Sequence, residues 1–160
     1  MDAALDASET LNQLEGSDRG FARAMTSAAL RALGRIDRAL EGFLDRGLNK
    51  LDDEVLALLR IGCAQLWVLE SPAYAVVSAT VDAARYWAPA KKGGGLINAI
   101  LRRADREKDA YTSLPASAVW PDWLAKRLTS ALGKDRTEAI AQLQLHEPHT
   151  DITVKAGGAK

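Results

Sequence analysis

Five cations cluster between positions 91 and 106: Lys91, Lys92, Arg102, Arg103 and Arg106. The lysines precede Gly93-Gly94-Gly95. The arginines follow on a segment whose apolar side is Leu96, Ile97, Ile100, Leu101 and Ala104. Loop lysines and helix arginines are the residue types that meet phosphate, and N–H groups at a helix start near Gly93–Gly95 would add donors. A solvated helix face has the same composition, and the acids Asp105 and Glu107 fit that alternative. The glycines do not form a nucleotide loop: no strand precedes them, and neither the Walker nor the dinucleotide spacing is present. They read as a flexible connection.

Other reactive residue types are sparse. Cys63 stands among Leu59, Ile61 and Leu66. A nucleophile needs a base and partial exposure, so a small buried core residue is the better description. His146 and His149 are three apart, but Pro148 interrupts the helix that would align them, and no further histidine or cysteine joins them. Trp67 and Trp123 lie on apolar helical phases and read as core. Trp87 sits at a helix end beside the basic loop, where it could stack an unpaired base. Asn98 could bond RNA or cap the backbone of the preceding loop. No acid–base or nucleophile constellation is visible, so no catalytic residue and no metal ligand is assigned.

Helices must position these groups. Ser17-Asp18 reads as an N-cap pair for a helix through Phe21, Met25, Ala28, Ala29, Ala32, Leu33 and Ile36. It continues through Leu40, Phe43 and Leu44 to Gly47. Asp52, Asp53 and Glu54 place three acids at a helix start, where the macrodipole favours them. The helix behind them, with Val55, Leu58, Leu59, Gly62, Cys63, Leu66 and Leu69, is apolar over a wide face and should be central. Pro72 opens the next helix, which carries Val77, Val81 and Ala84 and closes at Pro89. Then comes the basic loop, expected to be mobile, and a helix from about Gly95. Residues 109–121, with Pro115, Pro121 and small residues, read as a linker. Pro121-Asp122 opens a helix with Trp123, Leu124, Leu128 and Leu132, stopped by Gly133. Residues 135–146 form another, through Ala139, Ile140, Leu143 and Leu145. Asp151-Ile-Thr-Val154 is the only strand-like run. The expected fold is an all-α bundle of about six to eight helices.

The chain has 160 residues, 48% of them apolar, which suits one globular domain. Its formal charge is zero, yet residues 17–50 carry a net +3 and residues 85–108 a net +5, offset by an acidic start and by −4 over residues 51–84. Partners respond to these blocks more than to the total. A single cysteine excludes an internal disulfide and fits a reducing compartment. No apolar run approaches a membrane span and no signal peptide is visible, so cytoplasm is expected.

Four ordered blocks resemble a known family: Ser17-Asp18-Arg19-Gly20-Phe21-Ala22, Leu58 to Leu66, Pro72-Ala73-Tyr74-Ala75-Val76-Val77, and Gly95-Leu96-Ile97-Asn98-Ala99-Ile100-Leu101-Arg102-Arg103. Over residues 17–108 the chain resembles the NusB-like helical domain, most closely the version at the N-terminus of bacterial Sun/RsmB ribosomal RNA cytosine-5 methyltransferases. Trp120-Pro121-Asp122-Trp123-Leu124 and the run to Val154 resemble the linker and the start of the next domain of those enzymes. The resemblance therefore implies a fragment: residues 1–108 an RNA-binding domain, 109–150 a helical linker, 151–160 the start of a truncated domain. A first, basic family helix is expected to be missing, and the family often has His where Tyr74 stands. The resemblance implies docking on small-subunit ribosomal RNA, with Arg19, Arg23, Lys91, Lys92, Arg102 and Arg103 as RNA-binding candidates. S-adenosylmethionine is implied for the full-length parent and not for this fragment, and Cys63 matches neither catalytic cysteine. Further partners are the parent's own methyltransferase domain or, in the alternative of a free-standing transcription antitermination factor, a ribosomal protein. A protein–protein module using the face of the missing helix is a third possibility.

Overall fold

The computed structural model describes residues 2–148. They form ten α-helices and three 3-10 turns, with no strand among the described residues, so the all-α expectation holds. The strand-like run Asp151–Val154 and His149 lie outside the described residues.

The centre is α5, Asp53–Trp67. Asp52 occupies its N-cap position, with Asp53 and Glu54 in the first turn as the dipole favours. Leu59, Cys63 and Ala64 are fully buried. Around α5 pack α3 (Gly16–Arg31), α4 (Leu33–Glu41), α6 (Ala73–Tyr86) and α7 (Gly94–Arg106). Ile36, Leu40, Ile97 and Leu101 close the core from α4 and α7. Each such side chain contributes roughly 2 kcal/mol by leaving water. Trp67 is core, as expected: its ring stacks on Tyr111 at 5.0 Å, and its Nε1–H donates to the Ala104 carbonyl at 3.1 Å. Burial pushes the Cys63 thiol well above its ordinary range, so it is inert.

Two glycines permit the tight crossings. A Cβ on Gly62 would stand 2.7 Å from a methyl of Leu101, which lets α7 lie close on α5. A Cβ on Gly93 would stand 2.4 Å from Val55. The basic loop expected to be mobile is instead a 3-10 turn, Ala88–Gly93, with Ala90 buried against the core. Gly93 is there for close approach, not for freedom.

Two further expectations change. The apolar repeat from Phe21 to Leu44 is two helices, broken at Ala32, whose φ of −100° and ψ of 8° leave the helical region. Helix α3 starts two residues early, with Glu15 as its N-cap, so Ser17 and Asp18 sit in its first turn. Ahead of it lie two short helices, α1 (Asp2–Asp6) and α2 (Glu9–Asn12); Leu11 of α2 is buried.

Residues 109–145 continue helically as α8 (Asp109–Thr112), a 3-10 turn (Ala116–Val119), α9 (Asp122–Leu132) and α10 (Lys134–Leu145). One face of α4 holds this stretch. Arg35 Nη2 donates to the carbonyls of Tyr111, Thr112 and Leu114 at 3.1, 3.2 and 2.8 Å, and its guanidinium lies over the Tyr111 ring. Arg38 reaches the Trp120 carbonyl and Asp122. Glu138 of α10 accepts from the Ser117 amide and hydroxyl. Partial burial pushes its carboxyl up, but these hydrogen bonds outweigh that and hold it below the usual range.

Gly133, at φ +79°, stops α9 as expected. Trp123 is not core: it is 66% exposed. Leu124 and Leu128 take the half-buried side of α9, and Trp123 stands one helical step away from it. In α10 the buried residues are Thr137 and Ala141, while Leu143 is exposed. The Thr137 hydroxyl donates to the Gly133 carbonyl at 2.8 Å, which makes its burial tolerable.

Candidate nucleic-acid interface

Helices α6 and α7 are joined only by Trp87 and the 3-10 turn, so they form an antiparallel hairpin. Val76, Val77, Thr80 and Ala84 of α6 and Ile97, Ile100, Leu101 and Ala104 of α7 face inward. The Thr80 hydroxyl donates to the Val76 carbonyl at 2.7 Å, so its burial leaves no hydroxyl unpaired. The adjoining stripe, from Tyr74 through Ser78 and Asp82 to Arg85 on α6 and from Asn98 through Arg102 to Arg106 on α7, borders an open groove of about 540 Å³.

Three guanidinium groups converge there. Arg85 pairs with Asp82 at 2.9 Å. Arg102 Nε donates to Asn98 Oδ1 at 3.0 Å. Arg106 has no ion-pair partner among the described residues, and Asp105 pairs only distantly with Lys108, at 3.6 Å. Asn98 therefore neither caps the loop nor stands alone; it orients Arg102. An open groove with cations held from below meets a polyanion at its phosphates.

The six candidates do not form one surface. Of them, only Arg102 lines the groove. Arg103, one residue on and so about 100° around the helix, lies over the Phe43 ring at 4.7 Å and is paired with Glu107 at 3.0 Å. Lys91 and Lys92 are exposed on the 3-10 turn at the tip of the hairpin, next to the α7 N-terminus, which has no side-chain cap. Arg19 and Arg23 lie at the start of α3, whose main neighbours are α2, α4 and α5. Arg19 donates to Asn12 at 2.8 Å and Arg23 pairs with Asp6, so the acidic N-terminal stretch already engages both.

Sequence reasoning missed Arg85 and Tyr74. Tyr74 is 82% exposed on the groove, whereas Trp87, 43% exposed, does not line it. The signal was present as the spacing 74, 78, 82, 85, a second stripe on α6 beside its apolar one. No group of three or more metal-ligating side chains occurs among the described residues. No described helix is long and apolar enough to cross a membrane.

Comparison with known proteins agrees with this architecture. The chain is 43% identical over 123 residues to the ribosomal RNA small subunit methyltransferase B of Xanthomonas campestris pv. campestris, covering 77% of this chain and 27% of that protein. It is 40% identical over 128 residues to the protein of that name from Xylella fastidiosa, covering 80% and 30%. The Pseudomonas putida protein is 32% identical over 148 residues, covering 86% and 33%. The chain thus spans about a third of the length of these curated relatives. No solved structure matches significantly. The NusB family model matches residues 1–106, which reaches past the motifs at Ser17 to include the acidic N-terminal stretch and ends with α7. By that match, and with the helices it spans packed around α5, the chain belongs to the NusB family.

Proposed function

We propose that this chain is an RNA-docking module of a ribosomal RNA cytosine-5 methyltransferase, acting in the cytoplasm on small-subunit ribosomal RNA. One observation carries the proposal: Arg85, Arg102 and Arg106 converge on a single open groove. In this proposal residues 1–108 are the docking domain, and residues 109–150 connect it to a second domain that residues 151–160 open. Lys91 and Lys92 extend the cationic track beyond the groove. Arg19 and Arg23 contribute only where RNA displaces Asn12 and Asp6.

The relatives' names support a methyltransferase and disfavour a free-standing antitermination factor. S-adenosylmethionine would supply the methyl group in such an enzyme. No catalytic role is assigned to the described residues.

Fluorescence anisotropy with a labelled single-stranded RNA tests the proposal. With about three phosphate contacts, log K should fall on log salt with a slope near −2. Affinity should then drop roughly 20-fold between about 50 and 200 mM salt. Replacing Arg85, Arg102 and Arg106 by alanine should flatten the slope. Salt-independent binding would remove the phosphate contacts from the account.

A further inference from the structure

A groove that holds phosphate gains nothing from a carboxylate unless a cation pairs with it. This one contains Asp82 and Asp105. Asp82 is accounted for by its pair with Arg85. Asp105 is not: its one ion pair among the described residues is the 3.6 Å approach of Lys108, too long for a hydrogen bond, and its oxygens remain available as acceptors. In the antiparallel hairpin, Tyr74 at the start of α6 stands beside the end of α7, where Asp105 and Arg106 sit. Tyr74 leaves 82% of its surface in solvent and lines the groove, so its ring face is open to a ligand there. An aromatic face, a carboxylate with an ion pair to Lys108 but no side-chain hydrogen bond among the described residues, and an unpaired guanidinium thus lie at one end of the groove.

We propose that this end of the groove is a base site for an unpaired nucleotide whose base carries an exocyclic amino group. The base stacks on Tyr74, its amino N–H donates to Asp105, and Arg106 holds the adjoining phosphate. This rests on the RNA-docking function proposed above and narrows its ligand to single-stranded RNA. Stacking requires a base out of its helix, and every base has a π-face. The acceptor then discriminates: cytosine and adenine present an amino group, uracil does not.

The experiment compares labelled oligocytidine, oligouridine and a duplex RNA of equal length, binding to the 160-residue chain by anisotropy at low salt. Oligocytidine should bind tightest. Tyr74→Ala should weaken it roughly tenfold, and Tyr74→Phe, which keeps the ring, should not. Asp105→Ala should abolish the preference for cytidine over uridine while raising uridine affinity, because a carboxylate that repels phosphate is gone. Both side chains are on the surface, so the circular dichroism of each variant should match that of the parent. Equal binding of all three RNAs with no effect of Tyr74→Ala would overturn the base site and leave the phosphate contacts standing. Absence of binding to any RNA would overturn both.

Discussion

Replacing Gly34 by alanine should destabilise the fold by about 3 kcal/mol, the upper range for forcing an atom into a packed site. A Cβ there would stand 2.5 Å from the Val119 carbonyl oxygen and 2.7 Å from that of Ala118. Those are backbone atoms and cannot rotate aside. The chain on both sides is held as well, by Arg35 at Tyr111, Thr112 and Leu114 and by Arg38 at Trp120. The added methyl must push the 3-10 turn off α4, and α10, which packs on that turn, with it. Gly20→Ala is the control. Gly20 lies inside α3 with nothing within 4 Å of an added Cβ, so that change should stabilise by roughly 0.5–1 kcal/mol through helix propensity. Urea denaturation of the two variants reads both effects, and equal midpoints would mean that α4 and the 116–119 turn are not in contact.

Reversing the charge of the groove should have the largest effect on binding. The double variant Arg102→Glu, Arg106→Glu removes two phosphate contacts and adds two repulsions. A unit pair at contact in water is worth about 1 kcal/mol, and each reversal swings it through roughly twice that before screening, so affinity should fall roughly 100-fold at low salt. Folding should change little, within about 0.5 kcal/mol, because both residues are exposed and Arg102's one side-chain hydrogen bond among the described residues is to Asn98. Arg103→Ala should do the opposite. It removes a guanidinium from the Phe43 ring and from Glu107, which lowers stability, and it leaves RNA affinity nearly unchanged. Equilibrium anisotropy and thermal melts on the same preparations separate the two.

Much of the helical framework was legible because its signals are local. The acids at Asp52–Glu54, Pro72 before α6 and Gly133 after α9 each act within one turn, and each stands where the sequence places it. The break at Ala32 was not legible, since an apolar repeat of period 3.6 reads alike in one long helix or two. Nor does a local pattern show that the helix after the break meets residues 118 and 119 at Gly34. The glycines at 93–95 misled for a related reason. Flexibility and close approach call for the same residue, and at Gly93 only the position of Val55 decides between them; Gly94 and Gly95 have nothing within 4 Å of an added Cβ and simply open α7.

The groove was half legible. Basic residues 102, 103 and 106 count equally in a charge tally, yet the 100° step between Arg102 and Arg103 sends one to the groove and the other to Phe43. Arg85 and Tyr74 join Arg102 only because α6 and α7 are paired in space. Pairing between two separate helices leaves no mark in either helix alone. Trp123 shows the same limit: Leu124 and Leu128 use the packed side of α9, and their neighbour is left outside.

The most direct test is an amide chemical-shift titration of the chain with a short single-stranded RNA. Shifts should concentrate on the Tyr74–Arg85 stripe of α6 and on Asn98 to Arg106 of α7, and should shrink as salt rises. Shifts centred on Arg19 and Arg23 at the start of α3, or on α9 around Trp123, with the α6–α7 groove unmoved, would contradict the assignment of that groove as the RNA-docking surface.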